Sequence, residues 1–226
     1  MKIAGLQKLT TSDFPGVVSA IVFTQGCNLK CPYCQNSGLI PIADGQMTED
    51  EVLEFLEKRK KVLDGVVISG GEPLIQNNVK DFIIKVKNLG YMVKLDTNGT
   101  NPILLKALLD ENLLDYVAMD IKNDFENYAL TAGVQEINIT NIKQSIELLK
   151  SSKVAFEFRT TIVKEFHNIL NLQNIMNNFS EGTNYYLQNF EDSSNVINHN
   201  LHGFTHEELI EIQKALPNAK VRGIQI

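Results

Sequence analysis

Three cysteines, Cys27, Cys31 and Cys34, stand in one eight-residue stretch that reads CNLKCPYC, and no other cysteine follows. An odd, tight cluster makes a poor disulfide framework and reads first as a metal site. A short loop can turn three thiolates onto one iron–sulfur cubane, each on a separate iron. A four-iron cluster usually takes four thiolates, so three leave one iron without a protein ligand. An open coordination position is what a catalytic metal site has and a structural one lacks. Two other readings stay open from these residues alone. One is a zinc site completed by His167, His199, His202 or His206, all far downstream. The other is three unconnected thiols.

Further polar groups follow apolar, β-branched runs. VVIS leads into Gly70, Gly71, Glu72 and Pro73. Glycine lets a backbone approach a ligand closely, and a carboxylate beside it can accept from an ammonium. The same residues also suit a turn with a helix-start acid. YMVKL leads into Asp96, Thr97 and Asn98, and YVAM into Asp120 and Lys122. Strand alternation puts Asp120 and Lys122 on one face, where a charged pair needs partners. Arg159 stands in the otherwise apolar run VAFEFRTTIV, as a ligand contact or as a salt bridge to Glu157 or a helix acid. His199, His202 and His206 fall in polar surroundings and read as solvated surface.

The elements that must position these groups alternate between strand and helix. Strand-like runs begin at Val17, Val66, Tyr91, Tyr116, Val154 and Tyr185. Helical patterns lie between them. Thr48 with Glu51 and Thr205 with Glu208 are capping boxes. Asn101 and Pro102 read as N-cap and first helical position. Val79, Ile83 and Val86 form one apolar stripe, and Ile139, Ile142, Ile146 and Leu149 another. Such alternation means βα units and a parallel sheet. Six units are too few for a closed eight-fold barrel. The expected fold is therefore α/β, an open partial (βα)6 barrel of parallel strands in a single domain over 1–226. A doubly wound sheet is the second choice, and residues 220–226 are a candidate extra edge strand. In parallel α/β folds, ligands bind at the carboxyl ends of strands, where the polar groups above fall. The connection over 25–47, which holds all three cysteines, is long for a βα unit.

The CxxxCxxC loop after a first strand resembles the radical S-adenosylmethionine (SAM) superfamily. The runs DFPG at 13–16, FTQGC at 23–27 and YCQN at 33–36 are similar to those of the glycyl-radical-enzyme activating proteins. From Gly5 to Gly223 the chain looks most like the group that activates anaerobic ribonucleoside-triphosphate reductase. The resemblance implies a [4Fe–4S] cluster on Cys27, Cys31 and Cys34, with SAM at the open iron. It implies that Gly70, Gly71, Glu72 and Pro73 hold the amino group of the SAM methionine moiety, and Lys122 its carboxylate. Asp96, Thr97 and Asp120, with Asn98 in the same turn, would contact SAM or a monovalent cation nearby. Arg159 would face the methionine or the ribose, and Tyr33 would pack near the adenine. Some relatives carry a ribose-facing His near the sixth strand end; here Gln188 or Asn189 stands in that region.

The implied chemistry is reductive SAM cleavage, then transfer of a hydrogen atom from a glycine of a partner enzyme to the 5′-deoxyadenosyl radical. A flavodoxin- or ferredoxin-type donor would supply the electron, and no side chain need act as acid, base or nucleophile. A short chain with few lid residues suits a macromolecular substrate, because small-molecule sites usually enclose their ligands. Two alternatives are a small-molecule radical SAM enzyme of the carboxy-deazaguanine synthase kind and a non-catalytic iron–sulfur or zinc module. The former commonly shows Cys-Asp-Thr at the last cysteine, where this chain has Cys34, Gln35 and Asn36. A passive module has no use for the glycine–glutamate and Asp-x-Lys groups. Net charge is −6, from 27 acidic and 21 basic residues, which argues against a nucleic-acid partner. No apolar run approaches the roughly 20 residues of a membrane helix, and the N-terminus lacks a signal-peptide core. A cytoplasmic protein is expected.

Overall fold

The computed structural model describes residues 1–179 and 182–222. Its strands are β1 (Ile3–Thr10), β2 (Ser19–Thr24), β3 (Gly65–Gly70), β4 (Met92–Thr97), β5 (Tyr116–Asp120), β6 (Ala155–Ile162), β7 (Tyr185–Asn189) and β8 (Lys220–Arg222). Its α-helices are α1 (Glu49–Arg59), α2 (Val79–Asn88), α3 (Pro102–Asp110), α4 (Tyr128–Thr131), α5 (Ile139–Ser151), α6 (Ile169–Met176) and α7 (His206–Ala215). Among the described residues the sheet takes its eight strands in chain order, with β1 and β8 at its edges. The pairs β2–β3, β3–β4, β6–β7 and β7–β8 are parallel. The expected open, parallel α/β class is present, with the extra edge strand as β8. The rest of that candidate strand, 223–226, lies outside the described residues. No helix among the described residues is long and apolar enough to cross a membrane.

Two local departures from the sequence reading have physical causes. β1, antiparallel to β2, was not expected. It is a half-exposed edge strand, with Gln7, Lys8 and Leu9 outward, so it lacks the apolar continuity of the others. β2 begins at Ser19 instead of Val17. Residues 13–18 are used by a turn, with Gly16 at φ 73°, the Val17 amide donating to Phe14 O at 3.0 Å, and Val18 O accepting from Asp64 at 2.8 Å.

The chain divides into two compact units. The first comprises Met1–Asn28, Gly38–Ala118 and Thr140–Phe156. Its β3 is buried on both faces, with Val66, Val67 and Ile68 wholly inaccessible. The α2 stripe of Val79, Ile83 and Val86 is buried as its spacing predicts, joined by Phe82. Each such apolar side chain contributes roughly 1.5–3 kcal/mol by leaving water. Thr48 and Glu51 form the expected capping box at α1, and Asn101 caps α3 through the Leu104 amide. The second unit comprises Leu29–Ser37, Met119–Ile139 and Glu157–Ile226. Phe158, Tyr185 and Leu187 fill its interior, with Phe179 stacked on Phe158 at 4.6 Å. The Thr205–Glu208 capping box starts α7.

Candidate functional site

The cysteine loop leaves β2 at Thr24, and its stem is fixed within the first unit. The Gly26 amide donates to Leu39 O at 2.8 Å and the Cys27 amide to Ile40 O at 3.1 Å. The Gln25 side-chain amide donates to Gly38 O and Pro41 O at 3.2 and 2.7 Å. The Glu72 amide donates to Gly26 O at 2.9 Å. A Cβ at Gly71 would stand 2.1 Å from that same Gly26 oxygen. The close approach that this glycine permits is therefore made by the loop's own backbone.

The rest of the loop is fixed within the second unit. The Lys30 amide donates to Ala132 O at 3.0 Å. Gly133, at φ 67°, leaves the space that Lys30 O needs, since a Cβ there would lie 2.0 Å from it. The irregular segment 191–202 supplies three more ties. The Asn198 backbone amide donates to Pro32 O at 3.0 Å, the Gln35 side-chain Nε2 to Glu191 O at 3.0 Å, and the Ser37 hydroxyl to Asn195 O.

The three cysteines are not joined in disulfides; Cys31 is buried and the other two are partly exposed. Burial pushes the Cys31 thiol above its ordinary value, against the pull of the Lys122 ammonium. Burial also holds Tyr33 well above the usual phenol range. The Tyr33 hydroxyl is enclosed beside the Cys31 thiol, which it helps to hold down against burial. Among the described residues no three His, Cys, Asp or Glu side chains converge on one ion-sized point. Three thiols within one eight-residue loop are the donor chemistry that a cubane takes, each thiolate to its own iron.

In the first unit, the Glu72 carboxylate joins the two polar turns. It accepts from the Leu74 amide at 3.0 Å, the Thr97 hydroxyl at 2.7 Å and the Asn98 amide at 2.6 Å. Glu72 thus caps the short 3-10 turn Pro73–Ile75, as the helix-start reading predicts. Asn98 donates to Asn28 Oδ1 at 2.9 Å, and Asn28 donates to the Thr100 hydroxyl at 2.9 Å, tying this turn to the residue after Cys27. Asp96 accepts from Ser69 at 3.0 Å and from the Lys94 ammonium.

In the second unit, Asp120 and Lys122 do share a face, with Nζ at 3.1 Å from Oδ2. Arg159 Nε donates to the other Asp120 oxygen at 2.9 Å. Glu157 lies 4.0 Å from Arg159 and is held instead by Arg222 at 2.9 and 3.1 Å. Burial alone would raise the Asp120 carboxyl, but Arg159 and Lys122 bring it down to about 2. Burial alone would lower the Lys122 ammonium, but Asp120, then Cys31 and Tyr33, hold it well above the usual lysine value. Asn189 exchanges two hydrogen bonds with the Phe204 backbone, at 2.9 and 2.8 Å. The fold thus uses both ends of the Asn189 amide. His199 and His202 are exposed and paired with Asp192 and Glu165, and His206 opens α7.

Sequence reasoning missed two residues. Lys94 is buried behind Asp96, and the i, i+2 argument that joined Asp120 to Lys122 applies equally to this pair. His167 gave no comparable signal. It is buried, and its Nε2 meets Lys122 O at 2.9 Å while Nδ1 accepts from the Val163 amide at 3.1 Å. That network assigns a neutral ring with its proton on Nε2. Burial lowers its pKa below 6.5. A depressed folded value means stability that is complete above about 6.5 and lost as pH falls through the folded value. Asp120, Asp124 and Glu165 are held below their ordinary values and stay charged through that window. Urea titrations should therefore show falling stability on acidification below about pH 6.5, with a shallower fall in His167→Gln. Identical slopes in both proteins would remove this role.

The sequence profile of the Radical SAM superfamily matches residues 21–172. A Methanocaldococcus jannaschii protein named for glycyl-radical enzyme activation is 36% identical over 199 residues, covering 84% of this chain and 80% of that one. The pyruvate formate-lyase-activating enzyme of Clostridium pasteurianum is 29% identical over 185 residues, 78% of this chain and 76% of its own. Streptococcus suis SuiB, solved bound to S-adenosylmethionine, shares the fold with a TM-score of 0.67 at 14% identity, over 87% of this chain and 48% of SuiB. The thiol loop, the glycine–glutamate turn and these likenesses together place the chain in the radical SAM superfamily, whose members use a [4Fe–4S] cluster and SAM, among its glycyl-radical-enzyme activating enzymes.

Proposed function

We propose that this protein installs the glycyl radical of an anaerobic ribonucleoside-triphosphate reductase. The observation that carries the reading is the cysteine loop, held by backbone hydrogen bonds at Gly26 and Cys27 and again at Lys30 and Pro32. Cys27, Cys31 and Cys34 hold the [4Fe–4S] cluster. When bound, the cluster would supply the one electron for cleavage of SAM to methionine and a 5′-deoxyadenosyl radical, which would become 5′-deoxyadenosine by taking a hydrogen atom from a glycine of the partner.

The chain's own residues bind and orient. Lys122 meets the SAM carboxylate with N–H groups not used by Asp120. Gly70, Gly71, Glu72 and Pro73 receive the amino group, with Asp96, Thr97 and Asn98 beside them. Asp120 and Arg159 fix Lys122 and face the methionine or ribose. Gln188 serves the ribose, and Tyr33 the adenine. No side chain is needed as acid, base or nucleophile; positioning and exclusion of water and oxygen are the protein's part. A flavodoxin- or ferredoxin-type protein is the electron donor, and the reaction is cytoplasmic. The activating-enzyme relatives support a protein substrate over a small molecule.

The test is electron paramagnetic resonance. Reduced, cluster-loaded protein with SAM and the anaerobic reductase of the same source should give a glycyl-radical doublet, and oxygen should then cleave the reductase at one glycine. If reductase and other glycyl radical enzymes stay radical-free while carboxy-tetrahydropterin is converted, the small-molecule alternative takes its place.

A further inference from the structure

A lysine inside a parallel strand is costly unless its charge is met, because a buried unpaired ammonium loses its hydration. Lys94 is such a residue. It lies in β4 between the fully buried Val93 and Leu95, and is itself only 2% exposed. Its Nζ contacts Asp96 Oδ1, and the ring of Tyr116 lies 6.0 Å from it. The ring face adds a cation–π attraction that helps hold the ammonium where it is. Ser69 donates to the other Asp96 oxygen at 3.0 Å. Both oxygens of Asp96 therefore carry a donor from the fold, and the pair Lys94–Asp96 has no net charge. A further cation approaching Asp96 meets a neutral pair with an ammonium already on it, which removes most of the Coulomb attraction.

We infer that Lys94 is the built-in counter-ion of Asp96, a positioning residue that makes SAM binding independent of any monovalent cation at that carboxylate. The inference rests on the SAM-binding reading above. It revises one expectation from the resemblance, that of a cation near Asp96. In place of a diffusible ion, the fold supplies an ammonium that cannot leave, because the neighbours of β4 enclose it.

The experiment titrates SAM into cluster-loaded protein in potassium chloride and in tetramethylammonium chloride of equal ionic strength. The wild-type dissociation constant should change less than about twofold between the salts. Lys94→Met keeps the bulk of the side chain and removes the charge. Its affinity should be cation-dependent, weaker by at least about tenfold in tetramethylammonium than in potassium, a difference of about 1.4 kcal/mol. Thermal unfolding without SAM gives a second reading. The Lys94→Met midpoint should rise in potassium relative to tetramethylammonium, and the wild-type midpoint should not. A wild type that loses affinity tenfold without potassium overturns the inference, as does a Lys94→Met protein indifferent to the salt in both measurements. A wild type that binds no SAM in either salt sinks the SAM-binding reading instead, and the unfolding series then decides on Lys94 alone. If Lys94→Met does not fold in either salt, the wild-type titration decides.

Discussion

Cys31→Ala protein, reconstituted anaerobically, will release no 5′-deoxyadenosine from SAM and will hold well under the roughly four irons expected of one cubane per chain. Cys31 is the most telling of the three because it is the buried one. The groups that act on it are Lys122, Cys34, Asp120 and the Tyr33 hydroxyl. The loop backbone is held independently of the thiol, through Lys30 to Ala132 and Pro32 to Asn198. The variant should therefore fold with an unchanged unfolding midpoint, which separates loss of the cluster from loss of structure. Cys27→Ala and Cys34→Ala should behave alike. A Cys31→Ala protein that turns SAM over at the parent rate would falsify the cluster assignment.

The second large effect belongs to Lys122→Met. Its ammonium donates to Asp120, and an ammonium has three donors, so two are left for a ligand carboxylate. A charge-assisted bond of this kind is worth roughly 1.5–3 kcal/mol, so the SAM dissociation constant should rise at least about tenfold. Asp120 keeps Arg159 as a partner at 2.9 Å, so the second unit should not lose its charge balance. Visible absorbance of the cluster should be unchanged. Lys122→Arg should recover part of the affinity by keeping the charge. An unchanged SAM titration in Lys122→Met would take this lysine out of the site.

Much of the fold could be read in the sequence because its signals are local. The two capping boxes, the Asn101–Pro102 helix start and the stripes of α2 and α5 each depend on residues within a turn or two. The Asp120–Lys122 pair was readable for the same reason, through the period of two in a strand. What escaped depends on distant partners. Nothing near Gly133 says that its missing Cβ makes room for Lys30 O, about 100 residues earlier. Nothing near His167 says that it will hold Lys122 by its carbonyl. The edge strand β1 escaped because it faces solvent and pairs only with β2. The glycine–glutamate turn was found, but its internal work was not: Glu72 binds three donors of its own fold.

The two-sided anchoring of the cysteine loop has a consequence for how the protein is made. Its thiols leave the ribosome early, with β2, yet their docking partners Ala132 and Asn198 are synthesised far later. At about 5–20 residues per second, the gap of about 100 residues to Ala132 lasts roughly 5–20 seconds, and Asn198 follows still later. During that interval the nascent chain shows Cys31 and Cys34 to the cell without the partners that later hold their part of the loop. Strands that neighbour each other in chain order can join the sheet as they emerge, because their contacts are local. The loop cannot keep pace with them. Assembly of the iron–sulfur centre is thus a late event of biosynthesis, and oxidant present during translation would strike these thiols before the finished protein could shield them.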